Sequence, residues 1–172
     1  MRRIGKSKPL VTMIRLAFCL LAAFAIQDEC FAEITKLSLK DREALENSSA
    51  KFTEIHSTTN LPPSVIALCN DSKGRLAEPG KNWQVTDVIT DSSLPDKRLI
   101  WAAIKDEYFV VHYERGGYSH SFHVLVAKLK KDETKPEVVW RGVGFNNLKD
   151  FKALVDALKS KDALDDRLDY AH

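Results

Sequence analysis

The sequence predicts an α+β domain: a five-stranded antiparallel β-meander with short helices before it and one amphipathic helix after it. Three observations predict it. From Trp83 onward, five runs rich in valine, isoleucine and aromatic residues carry strand composition. The connections between those runs are too short for parallel crossovers, so neighbouring strands run antiparallel. After the last run, Leu148, Phe151, Leu154, Val155 and Leu158 fall at helical spacing and make one apolar stripe.

The first segment of the chain is read as lying outside that domain. "MRRIGKSKPLVTMIR" carries Arg2, Arg3, Lys6, Lys8 and Arg15 and no acid, and "LAFCLLAAFAI" follows as eleven uninterrupted apolar residues. A polar stretch, "QDECFA", then ends on Ala32. That order is the pattern of a secretory signal peptide, and the apolar run falls short of the ~20 residues that span a bilayer. Residues 1–32 are therefore read as the signal and residues 33–172 as a single domain, exported to a periplasm or secreted. A cut after Ala25 also fits the small-residue rule. It would leave Cys30 with Cys69, where a cut after Ala32 leaves Cys69 alone. Neither Cys19, after Phe18, nor Cys30, after Glu29, has the small residue before it that lipid attachment needs, so no membrane anchor is expected after cleavage.

Export changes the charge balance. The whole chain has 26 basic and 24 acidic residues. Removing residues 1–32 takes away five basic and two acidic residues and leaves 21 against 22, a net of −1. A near-neutral domain lacks the positive field that general nucleic-acid binders need. The remaining 140 residues suffice for one core without disulfide staples.

The elements follow in order. Ser38 with Asp41 resembles a capping pair, and "LKDREALEN" predicts a marginal helix over 39–47, with a linker after it anchored by Phe52 and Ile55. "TNLPPSVIALCND" predicts a second short helix, with proline in its first turn and Cys69 as a small buried residue near its end. The strands are "WQVTDVIT" (83–90), "RLIWAAIKD" (98–106), "YFVVHYERG" (108–116), "SHSFHVLVAKL" (119–129) and "EVVWRGVGF" (137–145). Asn147 with Asp150 caps the closing helix, and Ala163, Leu164, Leu168 and Tyr170 add a further turn. "KLKKDETK" reads as a solvated loop, and Trp83 as core.

The chemistry concentrates in "HYERGGYSHSFH", residues 112–123. A two-residue turn at Gly116-Gly117 would set Arg115 opposite Tyr118, Glu114 opposite Ser119, His112 opposite Ser121 and Val110 opposite His123. Alternation would then send Phe109, Val111, Tyr113, Phe122, Val124 and Val126 to the core. It would collect His112, Glu114 and His123 on the other face, beside Trp101. A turn one residue longer would put His120 in that cluster in place of His123.

The leading reading is a non-enzymatic binding or inhibitor-like module that uses Trp101, His112, Glu114, Arg115, Tyr118 and His123 as a recognition patch, since aromatics and arginine anchor interfaces. Its partner would be another exported protein or a small ligand. The runner-up is a metal-binding protein or hydrolase, with His112, Glu114 and His123 as metal ligands or Ser119 or Ser121 activated by a histidine. The plain alternative is scaffold: a satisfied polar part of a packed sheet. No phosphate-cradling loop, dinucleotide fingerprint or C-x-x-C motif occurs, so no cofactor is expected.

Overall fold

The computed structural model describes residues 37–89, 91–143 and 147–159, which belong to one compact unit, Ile34–His172. The proposed signal peptide and the expected turn at 163–170 lie outside the described residues. In chain order the elements are α1 (Leu39–Asn47), β1 (Thr53–Ile55), α2 (Pro63–Ile66), β2 (Lys97–Lys105), β3 (Tyr108–Arg115), β4 (Ser121–Lys128), β5 (Glu137–Val143) and α3 (Phe151–Lys159). The strands form one sheet in the order β1-β2-β3-β4-β5, and every neighbouring pair is antiparallel. The class is α+β, with a five-stranded antiparallel sheet, short helices before it and a helix after it.

Both faces of the sheet are covered, which the sequence reading did not anticipate. Trp101, Ala103, Val110, Val124, Val126 and Trp140 pack on one face against Leu45 of α1 and Phe151, Leu154, Val155 and Leu158 of α3. Leu99, Ala102, Val111, Tyr113, Leu125 and Ala127 pack on the other against Leu61, Val65 and Cys69. The strands consequently show long buried runs in place of alternation. Val110 and Val111 are adjacent in sequence and both fully buried, as expected when a strand has cover on both sides. Val124, Phe122 and Ile100 meet α3 as the period-two reading requires, whereas Val111 and Ile104 belong to the opposite cluster.

The apolar content of α1 is thin, and a buried carboxylate helps to hold it. Asp41 accepts hydrogen bonds from Lys128 Nζ at 2.6 Å, Tyr108 Oη at 2.8 Å and Ser38 Oγ at 2.6 Å. Burial alone would raise the Asp41 carboxyl, but the bonds from Lys128, Ser38 and Tyr108 outweigh it and hold the group below the usual carboxylate range. Burial likewise opposes the charge on Lys128, and the bond to Asp41 overrides it, pushing the amine up to about 12. The Arg42 guanidinium donates to the Leu158 carbonyl and ties α1 to α3.

One expected strand is not a strand. Residues 83–89 carry no ladder beyond a single bridge between Thr86 and Gly117; Thr90 lies outside the described residues. Val85, Val88 and Ile89 are exposed, and the Gln84 side chain donates to the Thr86 and Val88 carbonyls, a local alternative to sheet pairing. The edge position beside β2 belongs to β1, pairing Thr53 with Ile104 and Ile55 with Ala102. Three residues are too few to register as a period-two pattern.

Candidate functional site

The hairpin of β3 and β4 contains the candidate residues, and its register differs from the expected one. Arg115 pairs with Ser121, Glu114 with Phe122, Tyr113 with His123 and His112 with Val124. The connection is the five-residue segment 116–120. The glycines serve another purpose. A Cβ on Gly116 would sit 2.0 Å from the Gln84 carbonyl oxygen and 2.6 Å from that of Val85, so only glycine admits the 84–85 backbone here. Gly117 has φ of +135° and donates its N–H to the Val85 carbonyl. The pair reads as a tight turn because the same freedom serves a tight turn and a close backbone approach.

The three-residue shift relative to the expected pairing is odd, so it moves one histidine across the sheet. His112 and Glu114 share the face that carries Trp101. His123 projects from the opposite face, stacked on Tyr113 with centroids 4.9 Å apart and planes 9° from parallel. The proposed His112–Glu114–His123 cluster is therefore divided, and among the described residues no group of three His, Cys, Asp or Glu is placed to hold a metal ion.

On the helix-covered face the candidates are buried and hydrogen-bonded. The Trp101 indole N–H donates to the Leu148 carbonyl at 2.7 Å, and His112 Nε2 accepts the Leu148 N–H at 3.2 Å. His112 Nδ1 lies 2.8 Å from the His123 carbonyl. With Nε2 accepting, Nδ1 carries the proton, so the ring is a neutral tautomer fixed at both nitrogens. Burial lowers the His112 pKa, partly offset by the His123 carbonyl and Glu114. Trp101 and His112 thus fasten the segment entering α3. Nearer the hairpin end, Glu114 takes Arg98 Nε at 2.6 Å and His120 Nε2 at 2.7 Å. The buried Trp83 ring covers the Arg98 guanidinium at 5.1 Å. His120 joins Glu114 from within the five-residue connection, in neither of the two registers expected from the sequence.

The other face at the hairpin end has a different character. Lys97 and Arg115 are direct cross-strand neighbours, followed across the sheet by Ser121; Tyr113 and His123 form the next row, and Arg141 the one after. Lys97 Nζ donates to the Asn70 carbonyl at 2.9 Å, and Arg141 donates to the Leu68 carbonyl from both terminal nitrogens at 3.3 Å. His123 Nε2 lies 2.8 Å from Ser121 Oγ. Burial, then the charges of Lys97 and Arg115, push the His123 pKa down to about 4.

Two clefts meet at the turn. One, of about 410 Å³, is bordered by Arg115, Tyr118, Ser119, Ser121, His123 and Val143. The other, of about 270 Å³, is bordered by Arg75, Asp91 and Asp96 and shares Arg115, Gly116 and Gly117 with the first. Tyr118 stands at the tip, 98% exposed.

Of the six residues expected to form one exposed patch, Trp101, His112, Glu114 and His123 are buried, on two different faces, while Arg115 and Tyr118 reach the clefts. The sequence reading missed Lys97 and Arg141, whose positions beside Arg115 and His123 follow only from the register. No family model matches the chain, and neither a curated protein nor a solved structure does.

Proposed function

We propose that this chain is a small exported binding module without catalytic activity, and that the end of the β3–β4 hairpin is its recognition surface. The observation that carries this reading is the position of Tyr118. A fully exposed tyrosine at a loop tip, on the border of the cleft of about 410 Å³ that Arg115 also lines, supplies apolar area and hydrogen bonding together. The buried candidates act beneath it as the rigid support: Glu114 with Arg98 and His120 fixes one side of the turn, and Tyr113 with His123 fixes the other.

A second reading, a hydrolase, is favoured by one contact, Ser121 Oγ to His123 Nε2 at 2.8 Å. The electrostatics weigh against it. A general base works best with a pKa near the working pH, and His123 sits at about 4, held there by burial first and then by the charges of Lys97 and Arg115. An imidazolium formed there would be destabilised, where acyl transfer needs it stabilised.

The test compares the parent with Tyr118→Ala and Ser121→Ala. With the unfolding midpoint kept, Tyr118→Ala should lose co-purifying exported partners or ligands, and the parent should show no turnover of ester, peptide or glycan substrates. Turnover by the parent that Ser121→Ala abolishes would replace the binding module with the hydrolase. Mass spectrometry of the exported chain should give an N-terminus at Glu33, or at Ile26 for the alternative cut; an intact Met1 on a membrane-embedded product would contradict export.

A further inference from the structure

We propose that the recognition surface is a composite of the hairpin tip and the loop 84–89, and that it docks a partner protein through an apolar side chain flanked by a lysine or arginine. The apolar side chain would rest on Val85, Val88, Ile89 and Tyr118, and the cation would meet Asp87. The proposal rests on the reading of the hairpin end as the recognition surface and adds a second segment and the chemistry of the partner.

The first reason is where the exposed apolar side chains lie. Among the described residues five large ones are exposed, and four of them, Val85, Val88, Ile89 and Tyr118, belong to these two segments. Scattered singly, such residues are ordinary surface; gathered, they mark an interaction site. The backbone gathers them here. Gly117 donates its N–H to the Val85 carbonyl at 3.1 Å and bridges Thr86, and Ile89 borders the same cleft as Gly116 and Gly117.

The second reason is that the loop is held with these side chains outward. The buried Trp83 anchors its start, the Gln84 N–H donates to the Pro95 carbonyl at 2.7 Å, and the Gln84 side-chain amide donates to the Thr86 and Val88 carbonyls. Val85, Val88 and Ile89 belong to neither core cluster, although the segment that carries them is tied down at both its start and its middle. A surface ordered before binding loses little conformational entropy when the partner arrives.

The third reason is charge. Asp87 lies between Val85 and Val88 in the sequence, is exposed, and among the described residues makes no ion pair. The cations that border the cleft beside it are engaged: Arg75 by Asp71 and the Ser93 and Leu94 carbonyls, Lys73 by the Ser92 carbonyl, and Arg115 likewise. Asp91, four residues on, is exposed too, its carboxylate accepting the Ser93 N–H and hydroxyl. An apolar patch with a carboxylate inside it selects a partner that sets a cation beside its apolar side chain. It disfavours a membrane, whose anionic headgroups would repel Asp87 and whose interior would strip it of water. It disfavours a second copy of the chain, since a two-fold contact through the same patch would bring two Asp87 side chains together.

The experiment is an NMR titration of the purified chain with three capped peptides: acetyl-Lys-Leu-Phe-Lys-amide, its acidic counterpart acetyl-Glu-Leu-Phe-Glu-amide, and acetyl-Lys-Gly-Gly-Lys-amide, which lacks the apolar side chains. Saturable shifts are expected at Val85, Val88, Ile89 and Tyr118 together with the first peptide, which should bind ~fivefold or more tightly than either control. Asp87→Asn should remove the preference over the acidic peptide, and Ile89→Ser should weaken binding ~fivefold or more. Both variants should keep the unfolding midpoint, because both side chains are exposed. Equal binding of the acidic or the glycine peptide overturns the proposal. Shifts at Tyr118 alone overturn the composite and leave the hairpin reading in place; shifts at 85–89 alone, unaffected by Tyr118→Ala, overturn both. Saturable shifts at these residues on raising the protein concentration, or on adding phosphatidylcholine vesicles with or without phosphatidylglycerol, overturn the protein partner in favour of a second copy or a membrane. Absence of saturable shifts with every probe overturns the proposal, and the hairpin reading then stands or falls on the co-purification test of Tyr118→Ala.

Discussion

His112 and His123 come from the two strands of one hairpin, and the sheet sends them to opposite faces. His112 is enclosed beneath the segment entering α3, with both ring nitrogens in hydrogen bonds to backbone groups. His123 stacks on Tyr113, touches Ser121 and borders a cleft. Both are buried and both are discouraged from taking a proton, but the causes differ. For His112, burial acts against two groups that favour the proton, the His123 carbonyl and Glu114. For His123, burial and cations act together. The difference teaches that burial of a polar residue does not by itself separate scaffold from site. The surroundings separate them: closed hydrogen bonds on one face, and neighbouring cations beside a cleft on the other.

The helix-covered face should be the more sensitive to truncation. Phe151 is buried against Trp101 and Phe52, with ring centroids 6.3 Å and 4.4 Å away. Phe151→Ala should cost ~3–5 kcal/mol, read as a lowered urea midpoint. An unchanged midpoint would mean that α3 contributes no cover to this face.

The pH dependence should come mainly from the other face. The folded His123 pKa, about 4, lies below the ~6.5 of a free imidazole. Between these values the unfolded chain binds the proton and the folded chain does not, so stability is complete above pH ~6.5 and falls as the pH drops towards 4. The full loss is on the order of 3 kcal/mol for a shift of that size. His112 adds to the loss in the same direction, and Asp41, whose pKa is held low, adds its own only below its unfolded value, ~3.9. His123→Gln should flatten most of the slope in urea midpoint between pH 4 and 6.5. A slope that survives above pH ~5 would place its origin at His112, since Glu78, which burial would raise but hydrogen bonds from Thr58 hold low, contributes only below that.

His112→Leu should cost ~1–3 kcal/mol at pH 7, because the Leu148 N–H and the His123 carbonyl lose a buried partner. The smallest effect belongs to Tyr118→Ala, within ~0.5 kcal/mol of the parent, since an exposed side chain has little contact to lose. A larger loss of thermal midpoint in that variant would mean that Tyr118 packs on the clefts as structure.

The sequence made the α+β class, four of the five strands, α1 at 39–47 and the α3 stripe legible, because valine, isoleucine and aromatic runs and helical spacing record burial directly. It misplaced the edge strand. Val85, Val88 and Ile89 have strand composition but are exposed in a loop, while Thr53–Ile55 is too short to show a pattern. The site was legible as a stretch, 112–123, but not as an arrangement. The register depended on Gly116, whose missing side chain answers to the 84–85 backbone, a contact about thirty residues away along the chain. From that one misreading came the face of His123, the grouping of the histidines and the omission of Lys97 and Arg141.

The central claim is that the end of the hairpin, and no other part of this surface, meets a partner or ligand. The most direct test places a photo-reactive amino acid at position 118 in one variant and at position 152 in another. Lys152 is exposed on α3 and borders neither cleft. After illumination in the exported compartment, the account predicts a discrete covalent adduct, identified by mass spectrometry, from position 118 and none from position 152. Equal labelling from both positions, or a discrete adduct from 152 alone, would contradict it and leave "HYERGGYSHSFH" as scaffold.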